Sequence, residues 1–299
     1  MKVVLGGIVK NIKNQFVAAT NFIKALKVVL PSLEVCIYEN NSTDTTKKLL
    51  EDFVKTLDYI SLVSEDIEYN YFLYRGNART WDNKPCRIEM IAYARNQLLK
   101  MISLKNLSIH DYVIMIDLDF SVAPDVHILS ETLKHMHKDI HALFANGISG
   151  ERKYYDAYEL RTEEHPYGPE ILGDVFWSSE HMCKLQTVLD PNGPPIPVYS
   201  AFGGLAIYRA DVIKDCSYSA DITDELHNFY KGHMYEEKVN THHNGSLLGC
   251  YLKDTSIFYK NNSGYNYPIS AEHVNFNYCI RSKGYRNMFI APFLYYYWG

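Results

Sequence analysis

Two aspartates separated by one residue could hold a metal ion. Asp117 and Asp119 follow the apolar run at residues 112–116, which predicts a buried strand that ends beside them. Carboxylate oxygens are the ligands that Mg²⁺ and Mn²⁺ prefer, and such an ion neutralises negative charge on phosphate groups. The triplet is also compatible with acidic residues that only cap a turn between a strand and a helix.

Five further side chains could complete a site for phosphate and hydroxyl chemistry. Arg95 carries a guanidinium that can bind two phosphate oxygens at once, and Arg87 lies two turns earlier on the same predicted helix. Glu272 and Asp156 are both candidates to accept the proton of a hydroxyl group. Glu272 could instead stabilise a helix N-terminus, and Asp156 could instead bind hydroxyl groups. His273 could add an imidazole nitrogen to a metal, although a lone histidine is more often structural.

The elements that must position these residues alternate between strand and helix. Pro31 ends the first predicted helix, and the polar turn at residues 40–44 offers N-cap side chains for the next one. This alternation is typical of a mostly parallel sheet with helices on both faces, and we predict an α/β fold that forms one continuous unit over residues 1–299. Strands are expected at residues 3–9, 33–38, 60–63, 112–116 and 205–208. Helices are expected at residues 14–30, through Leu49, Leu50 and Phe53, from Pro85 to Leu98, and at residues 270–284.

Composition excludes several classes of partner and site. The 299 residues are 47% hydrophobic, with a net charge of -5 and scattered basic residues, so we predict a globular chain that does not bind nucleic acid. The six cysteines are widely spaced, which favours reduced, buried thiols over a zinc site. Since the sequence has no signal peptide and no run of ~18 apolar residues, we expect a cytoplasmic protein without a transmembrane segment.

Six segments, in order along the chain, resemble the GT-A glycosyltransferase superfamily. They are residues 6–11, 39–44, 87–96, 112–119, 154–161 and 200–204. Within the superfamily they are most similar to the capsule-associated mannosyltransferase group and related large-DNA-virus glycosyltransferases. For a viral protein, the cytoplasm would be that of the host. The resemblance implies a Rossmann-like GT-A fold and the metal-dependent transfer of a sugar from a UDP- or GDP-sugar donor to a hydroxyl of a glycan acceptor, with inversion.

The resemblance also implies roles for individual residues. Residues 1–150 are expected to bind the nucleotide sugar and residues 151–299 to shape the acceptor pocket. Asp117, Asp119 and His273 would hold Mn²⁺ or Mg²⁺, and Glu272 would act as the catalytic base, with Asp156 as the alternative. The expected nucleotide-sugar contacts are Gly7, Val9, Glu39, Asn40, Asp44, Arg87, Arg95, Asp117, Gly203 and Gly204.

Two other functions remain open at this point. Sugar-nucleotide nucleotidyltransferases share a related α/β architecture, but they usually carry a glycine-rich basic opening loop that residues 6–11 do not supply. A non-catalytic carbohydrate-binding protein could also have kept the fold. The sequence does not identify the sugar, the nucleotide base or the oligomeric state.

Overall fold

Strands and helices alternate through the first half of the chain. The computed structural model describes residues 1–68, 86–150, 152–236, 250–253, 256–260 and 268–298. Pro31 lies just beyond the first helix, where its missing N–H group prevents continuation. The first-half elements are β1 Val3–Val9, α1 Phe16–Val29, β2 Leu33–Asn40, α2 Thr46–Val54, β3 Ile60–Glu65, α3 Arg87–Ser103, β4 Tyr112–Asp117, α4 Val126–His135 and β5 Ala142–Ile148.

Shorter elements make up the second half. Ser178 begins one of its helices, and its hydroxyl accepts a hydrogen bond from the His181 N–H group, as N-cap serines do. The second-half elements are α5 Pro169–Leu172, a 3₁₀ turn Gly173–Trp177, α6 Ser179–Leu185, β6 Ile196–Pro197, β7 Leu205–Arg209, α7 Asp224–Glu236, β8 Cys250–Lys253, β9 Ser256–Tyr259, α8 Glu272–Ser282 and β10 Met288–Tyr297.

Eight strands form one mixed sheet in the order β3-β2-β1-β4-β7-β5-β10-β6. Strands β1 to β4 pair in parallel, β7 is antiparallel to both β4 and β5, and β10 is parallel to β5. Strand β1 therefore lies between β2 and β4, so the chain crosses over at that point. Ligands of open α/β sheets bind at such a switch point, at the carboxyl ends of the strands.

Helices cover both faces of this sheet. On one face, α1 and α4 pack on the apolar side chains of β1, β2 and β4, including the fully buried Leu5 and Ile114. On the other face, α3 and α8 pack through residues such as Leu98 and Phe276. The predicted α/β fold, a single unit with a mostly parallel mixed sheet, is confirmed.

Several predicted boundaries shift by a few residues. Strand β2 continues to Asn40 and β4 to Asp117. Helix α8 spans Glu272–Ser282 rather than residues 270–284, because Ala271 has an extended backbone and Gly284 has a left-handed φ of 92°. Within the described ranges, no helix has the length and apolar content that a membrane span requires.

Candidate active site

The end of strand β4 directs two carboxylates toward one cavity. Between them, Leu118 is 2% exposed and packs over Gly7, where an added Cβ atom would lie only 2.7 Å from its Cδ1 atom. The Asp117 N–H group donates a hydrogen bond of 3.0 Å to the Gly204 carbonyl. Leu118 thus anchors the turn in the core and leaves Asp117 and Asp119 on the cavity side.

This cavity has a volume of about 500 Å³ and lies at the carboxyl ends of β1, β2 and β4. That volume is within the range of small-molecule sites. Its wall includes Lys10 and Asn11 after β1 and Trp298 after β10. Six residues predicted from the sequence also line it: Val9, Asn40, Arg87, Arg95, Asp117 and Asp119.

Hydrogen bonds join the loops that follow β1 and β2. The Asn11 N–H group donates to the Ser42 hydroxyl over 2.9 Å, and the Thr43 N–H group donates to the Asn11 side chain over 2.8 Å. Glu39 is fully buried below this loop and accepts hydrogen bonds from the Ser42 N–H group and the Ser64 hydroxyl. Glu39 therefore shapes the loop beside the cavity.

Four further residues that were predicted to contact the nucleotide sugar are not among the described residues that line this cavity. Asp44 accepts a hydrogen bond from the Thr46 N–H group over 2.9 Å at the start of α2. Gly7 packs under Leu118, as described above. Gly203 and Gly204 have left-handed φ angles of 63° and 83°, and a Cβ atom on Gly204 would lie 2.4 Å from the Tyr296 ring. Packing accounts for these glycines, and contact with the sugar stays a prediction.

Arg95 is the central charged residue of the site. Its side chain is 4% exposed, and it donates one hydrogen bond to Asp117 over 3.0 Å and another to Glu272 over 3.1 Å. The guanidinium also lies 4.7 Å from the ring centre of Phe202. Burial alone would lower the pKa of Arg95, but the Asp117 and Glu272 carboxylates raise it overall. Arg95 thus holds two predicted functional carboxylates in place, and its contact with a diphosphate stays a prediction.

Three acidic side chains extend the site beyond Arg95. Glu272 begins α8, and Asp156 accepts a hydrogen bond of 2.9 Å from the Gly203 N–H group. Glu159 accepts one of 3.1 Å from the Val274 N–H group. Burial raises the pKa of Asp156 to about 7, with Glu272 adding to the rise, and burial also raises the pKa of Glu159. The site therefore contains carboxyl groups that can hold a proton near neutral pH.

The raised pKa of Asp156 predicts a pH dependence of stability. The pKa of Asp156 is ordinarily 3.8 and is raised to about 7 in the folded protein. At a pH between these two values, the folded protein therefore keeps a proton that the unfolded chain has lost. The free energy of unfolding should therefore decrease as pH rises from about 4 to about 7. Asp156→Asn keeps the acceptor oxygen for Gly203 but cannot titrate, so urea unfolding at several pH values should show a smaller decrease.

The exposed Asp139 provides a matched control for this measurement. Asp139→Asn should give a pH profile parallel to that of the unmodified protein, because its side chain is 67% exposed. A parallel profile for Asp156→Asn would contradict the raised pKa.

His273 lies in an aromatic stack. Its ring stacks on Phe202 with centres 3.8 Å apart and meets the edge of Tyr218 at 5.1 Å. Burial lowers the pKa of His273 well below its ordinary value, and the charge on Arg95 lowers it further, so the ring is neutral. Both ring nitrogens are buried without a hydrogen-bond partner among the described residues. This packing does not bring His273 to the two aspartates as a group of three ligands.

The two aspartates by themselves fit one kind of metal site. Within the described ranges, no three His, Cys, Asp or Glu side chains are grouped so that they could hold an ion. However, Mg²⁺ is often bound by one or two carboxylates together with water and substrate phosphates. Asp119 is exposed at the cavity, and burial raises the pKa of Asp117 to about 6 against the opposing effect of Arg95. These residues suit an ion that arrives with a phosphate group, and the roles of all three predicted ligands stay predictions.

Sequence reasoning assigned no role to Glu159 or Trp298, which the structure places at the site. Glu159 lies in the segment 154–161 that carried the resemblance, and its apolar neighbours Tyr158 and Leu160 were a signal that it is buried. Trp298 reaches the cavity because β10 pairs with β5, and its ring lies 5.2 Å from that of Tyr155. No local pattern indicates that the residues after β10 return to this cavity.

Comparison with known families gives one extended match. A model of the family described as Cryptococcal mannosyltransferase 1 matches residues 8–252. The match includes the end of β4 with Asp117 and Asp119, and the helix that carries Arg95. It ends before α8. None of the curated proteins compared with the chain matches it.

Solved structures show more distant likenesses. The mannosyltransferase PcManGT from Pyrobaculum calidifontis, in complex with GDP-Man and Mn²⁺, has 13% identity and a TM-score of 0.41, over 73% of this chain and 47% of its own. S. aureus TarS 1–349 has 13% identity and a TM-score of 0.42, over 73% and 50%. Glucosyl-3-phosphoglycerate synthase from Mycobacterium tuberculosis, with Mn²⁺, UDP and phosphoglyceric acid, has 12% identity and a TM-score of 0.38, over 79% and 64%. The chain thus spans about half the length of the first two, and no residue role follows from likenesses at this level.

Proposed function

The chain belongs to the mannosyltransferase family described as Cryptococcal mannosyltransferase 1, and on that premise we propose that it transfers a sugar from a nucleotide-sugar donor to a hydroxyl of a glycan acceptor. The membership confirms the predicted likeness to the capsule-associated mannosyltransferase group and the identification as a glycosyltransferase. The likeness to large-DNA-virus enzymes, the cytoplasmic location and the division into donor and acceptor halves stay predictions.

The cavity at the switch point of the sheet carries this proposal. It combines the ends of β1 and β2, which can enclose a nucleoside, with Asp117 and Asp119 at the end of β4. Asp117 and Asp119 would hold Mn²⁺ or Mg²⁺, and the bound ion would offset the charge that develops on the departing diphosphate. Arg87 and Lys10 line the same cavity and add positive charge near the phosphates.

Glu272 is the proposed base for the acceptor hydroxyl. Arg95 fixes its carboxylate through a 3.1 Å hydrogen bond, and only 8% of the side chain is exposed. Asp156 is the alternative, because a pKa of about 7 suits proton transfer at neutral pH. In a single displacement, either base takes the hydroxyl proton while the oxygen attacks the anomeric carbon, the bond to the diphosphate breaks and the anomeric centre inverts.

Glu272→Gln tests the choice of base. Glutamine keeps the shape and an acceptor oxygen for Arg95 but removes the basic carboxylate, so the transfer rate should fall roughly 10²-fold or more while donor affinity is retained. Glu180→Gln alters an exposed glutamate in the first turn of another helix, α6, and should leave the rate unchanged. Near-normal transfer by Glu272→Gln together with a large loss in Asp156→Asn would assign the base to Asp156.

Donor binding and turnover test the proposed function as a whole. GDP-mannose is the first donor to examine, given the description of the family, followed by UDP-sugars. A donor that binds only the folded protein raises the melting temperature, and Mn²⁺ should increase that shift. Incubation with glycan acceptors should then release nucleoside diphosphate and yield a glycan one sugar longer, with an inverted anomeric centre.

The reaction products distinguish glycosyl transfer from the two rival functions. A nucleotidyltransferase would release or consume pyrophosphate, and a non-catalytic carbohydrate-binding protein would bind glycan without releasing nucleotide. Absence of both a donor-dependent shift and nucleoside diphosphate release, across GDP- and UDP-sugars with Mn²⁺ or Mg²⁺, would refute glycosyl transfer.

A further inference from the structure

Helix α8 begins without a capping side chain of its own. Its N-cap residue is Ala271, whose methyl group cannot accept a hydrogen bond from the N–H groups of the first turn. These groups have no partner within a helix, so a serine, threonine, aspartate or asparagine usually stands at the N-cap to accept from one of them. Glu272 is the first residue of this turn. The position of the proposed catalytic base therefore depends on how the turn is held.

Glu159 gives this turn an acceptor from 115 residues earlier in the chain. Its Oε2 atom accepts a hydrogen bond of 3.1 Å from the N–H group of Val274, the third residue of the helix. N-cap side chains accept from the second or third residue, so the Glu159 carboxyl group performs the role that Ala271 cannot perform. Glu159 is only 7% exposed, and a buried N–H group that loses its acceptor is costly because little water can replace it.

A buried arginine fixes the backbone on both sides of Glu159. Arg161 is fully buried, and its Nη1 atom donates hydrogen bonds of 2.9 Å to the carbonyl groups of Tyr158 and Leu160. Its Nη2 atom pairs over 3.1 Å with the carboxylate of Glu170, which is also fully buried. Because separation of this pair would leave buried charge without a partner, Arg161 holds the segment that carries Glu159 in one position.

The first turn of α8 is thus held from two directions. Arg95 on α3 donates a hydrogen bond of 3.1 Å to the Glu272 carboxylate, and Glu159 accepts one from the Val274 backbone two residues later. Residues in one helical turn move together, so a displaced backbone at Val274 also displaces Glu272. The contact with Arg95 fixes the end of the Glu272 side chain, and the contact with Glu159 fixes the backbone from which that side chain extends.

We propose that Glu159 is a positioning residue for glycosyl transfer, which caps α8 from outside the helix and thereby holds Glu272 where it takes the proton of the acceptor hydroxyl. This role rests on the proposed function, in which Glu272 is the base. Without the cap, the first turn would open more often and Glu272 would leave its position beside the acceptor. Since a displacement of about 1 Å can slow a reaction about 10²-fold, the loss should fall on kcat rather than on donor binding.

Two variants of Glu159 test this role. Glu159→Met keeps most of the side-chain volume but has no oxygen to accept from Val274, so kcat should fall roughly ten- to hundredfold while the donor KM stays near that of the unmodified protein. Burial raises the pKa of Glu159 and favours its neutral form, which an amide resembles. Glu159→Gln keeps the acceptor oxygen and should recover most of the rate. Hydrogen exchange of the peptide at the start of α8 should be roughly tenfold or more faster in Glu159→Met alone.

Asp125→Ala provides a matched control, because it removes a helix cap away from the active site. The Asp125 side chain caps α4 and accepts hydrogen bonds of 2.8 and 3.2 Å from the N–H groups of His127 and Ile128. Its loss should lower the melting temperature by about 2–4 °C. The transfer rate and the hydrogen exchange of α8 should stay those of the unmodified protein, which separates a lost cap in general from a displaced Glu272.

Each of three results would overturn the proposal. Unchanged exchange at the start of α8 in Glu159→Met would show that Glu159 does not cap the helix. Faster exchange with an unchanged kcat would show that the cap does not position Glu272. A loss in Glu159→Gln as large as that in Glu159→Met would show that the acceptor oxygen is not what matters. If the unmodified protein transfers no sugar, the proposed function fails and the positioning role with it, whereas the exchange comparison still decides whether Glu159 caps α8.

Discussion

We expect Arg95→Met to lower the free energy of unfolding by about 3–5 kcal/mol at neutral pH, because it leaves buried charge without a partner. Arg95 donates to Asp117 and Glu272, whose side chains are only 18% and 8% exposed. Methionine preserves much of the side-chain volume but provides no donor. The two carboxylates must then remain charged in a poorly solvated place or take up protons. Urea unfolding at pH 7.5 measures the loss, which should become smaller at pH 5 as protonation relieves the unpaired charge.

Two further variants separate charge pairing from side-chain size. Arg95→Lys keeps the positive charge but cannot bind both carboxylates through a planar fork. Its free energy of unfolding should therefore lie between those of the unmodified protein and Arg95→Met. Lys134→Met breaks an exposed pair with Glu131, in which both side chains are more than half exposed, and should cost at most about 1 kcal/mol. An Arg95→Met effect as small as that of Lys134→Met would show that the buried pairs contribute little to stability.

Asp119→Ala should lower metal-dependent transfer by roughly 10³-fold or more, since it removes the exposed carboxylate proposed to hold the ion. Asp119 is exposed at the cavity, and its contact with the Tyr296 hydroxyl is long, at 3.5 Å. The variant should therefore keep its melting temperature without ligand while losing the extra donor-induced shift that Mn²⁺ gives. Transfer rates across a Mn²⁺ titration and the paired thermal shifts provide the measurement.

Asp139→Ala serves as the matched control for this prediction. Asp139 is also exposed, but it lies in the loop between α4 and β5, away from the cavity. The control should show the manganese response of the unmodified protein. If Asp119→Ala also shows that response, the ion is held elsewhere. Loss of transfer with an unchanged manganese response would assign Asp119 to the sugar rather than to the metal.

Much of the fold and part of the site could be predicted from local patterns. Apolar runs of strand length alternate with helical periodicity in the first half, and the structure has β1, α1, β2 and β4 within a few residues of their predicted positions. The resemblance placed Asp117, Asp119, Asn40 and Val9 in one site, and they line one cavity, as parallel strands that end at the same edge of a sheet allow.

Contacts between residues distant in sequence could not be predicted in this way. Glu272 lies 177 residues after Arg95, and their pairing depends on α8 packing beside α3 on one face of the sheet. His273 carried a predicted metal role because its residue type and segment suggested one, whereas packing places its ring between Phe202 and Tyr218. Residue type indicates which chemistry a side chain can perform, but its partners depend on how the elements pack.

The sequence by itself therefore determined the α/β class, the strand end that carries Asp117 and Asp119, and the helix that carries Arg95. These features depend on residues a few positions apart, since hydrophobic periodicity and strand ends are local properties of the chain. Only the tertiary structure decided that Arg95 pairs with Glu272 and that Trp298 lines the cavity. Those contacts arise from the order of strands in the sheet and from helix packing, which join parts of the chain that no local pattern connects.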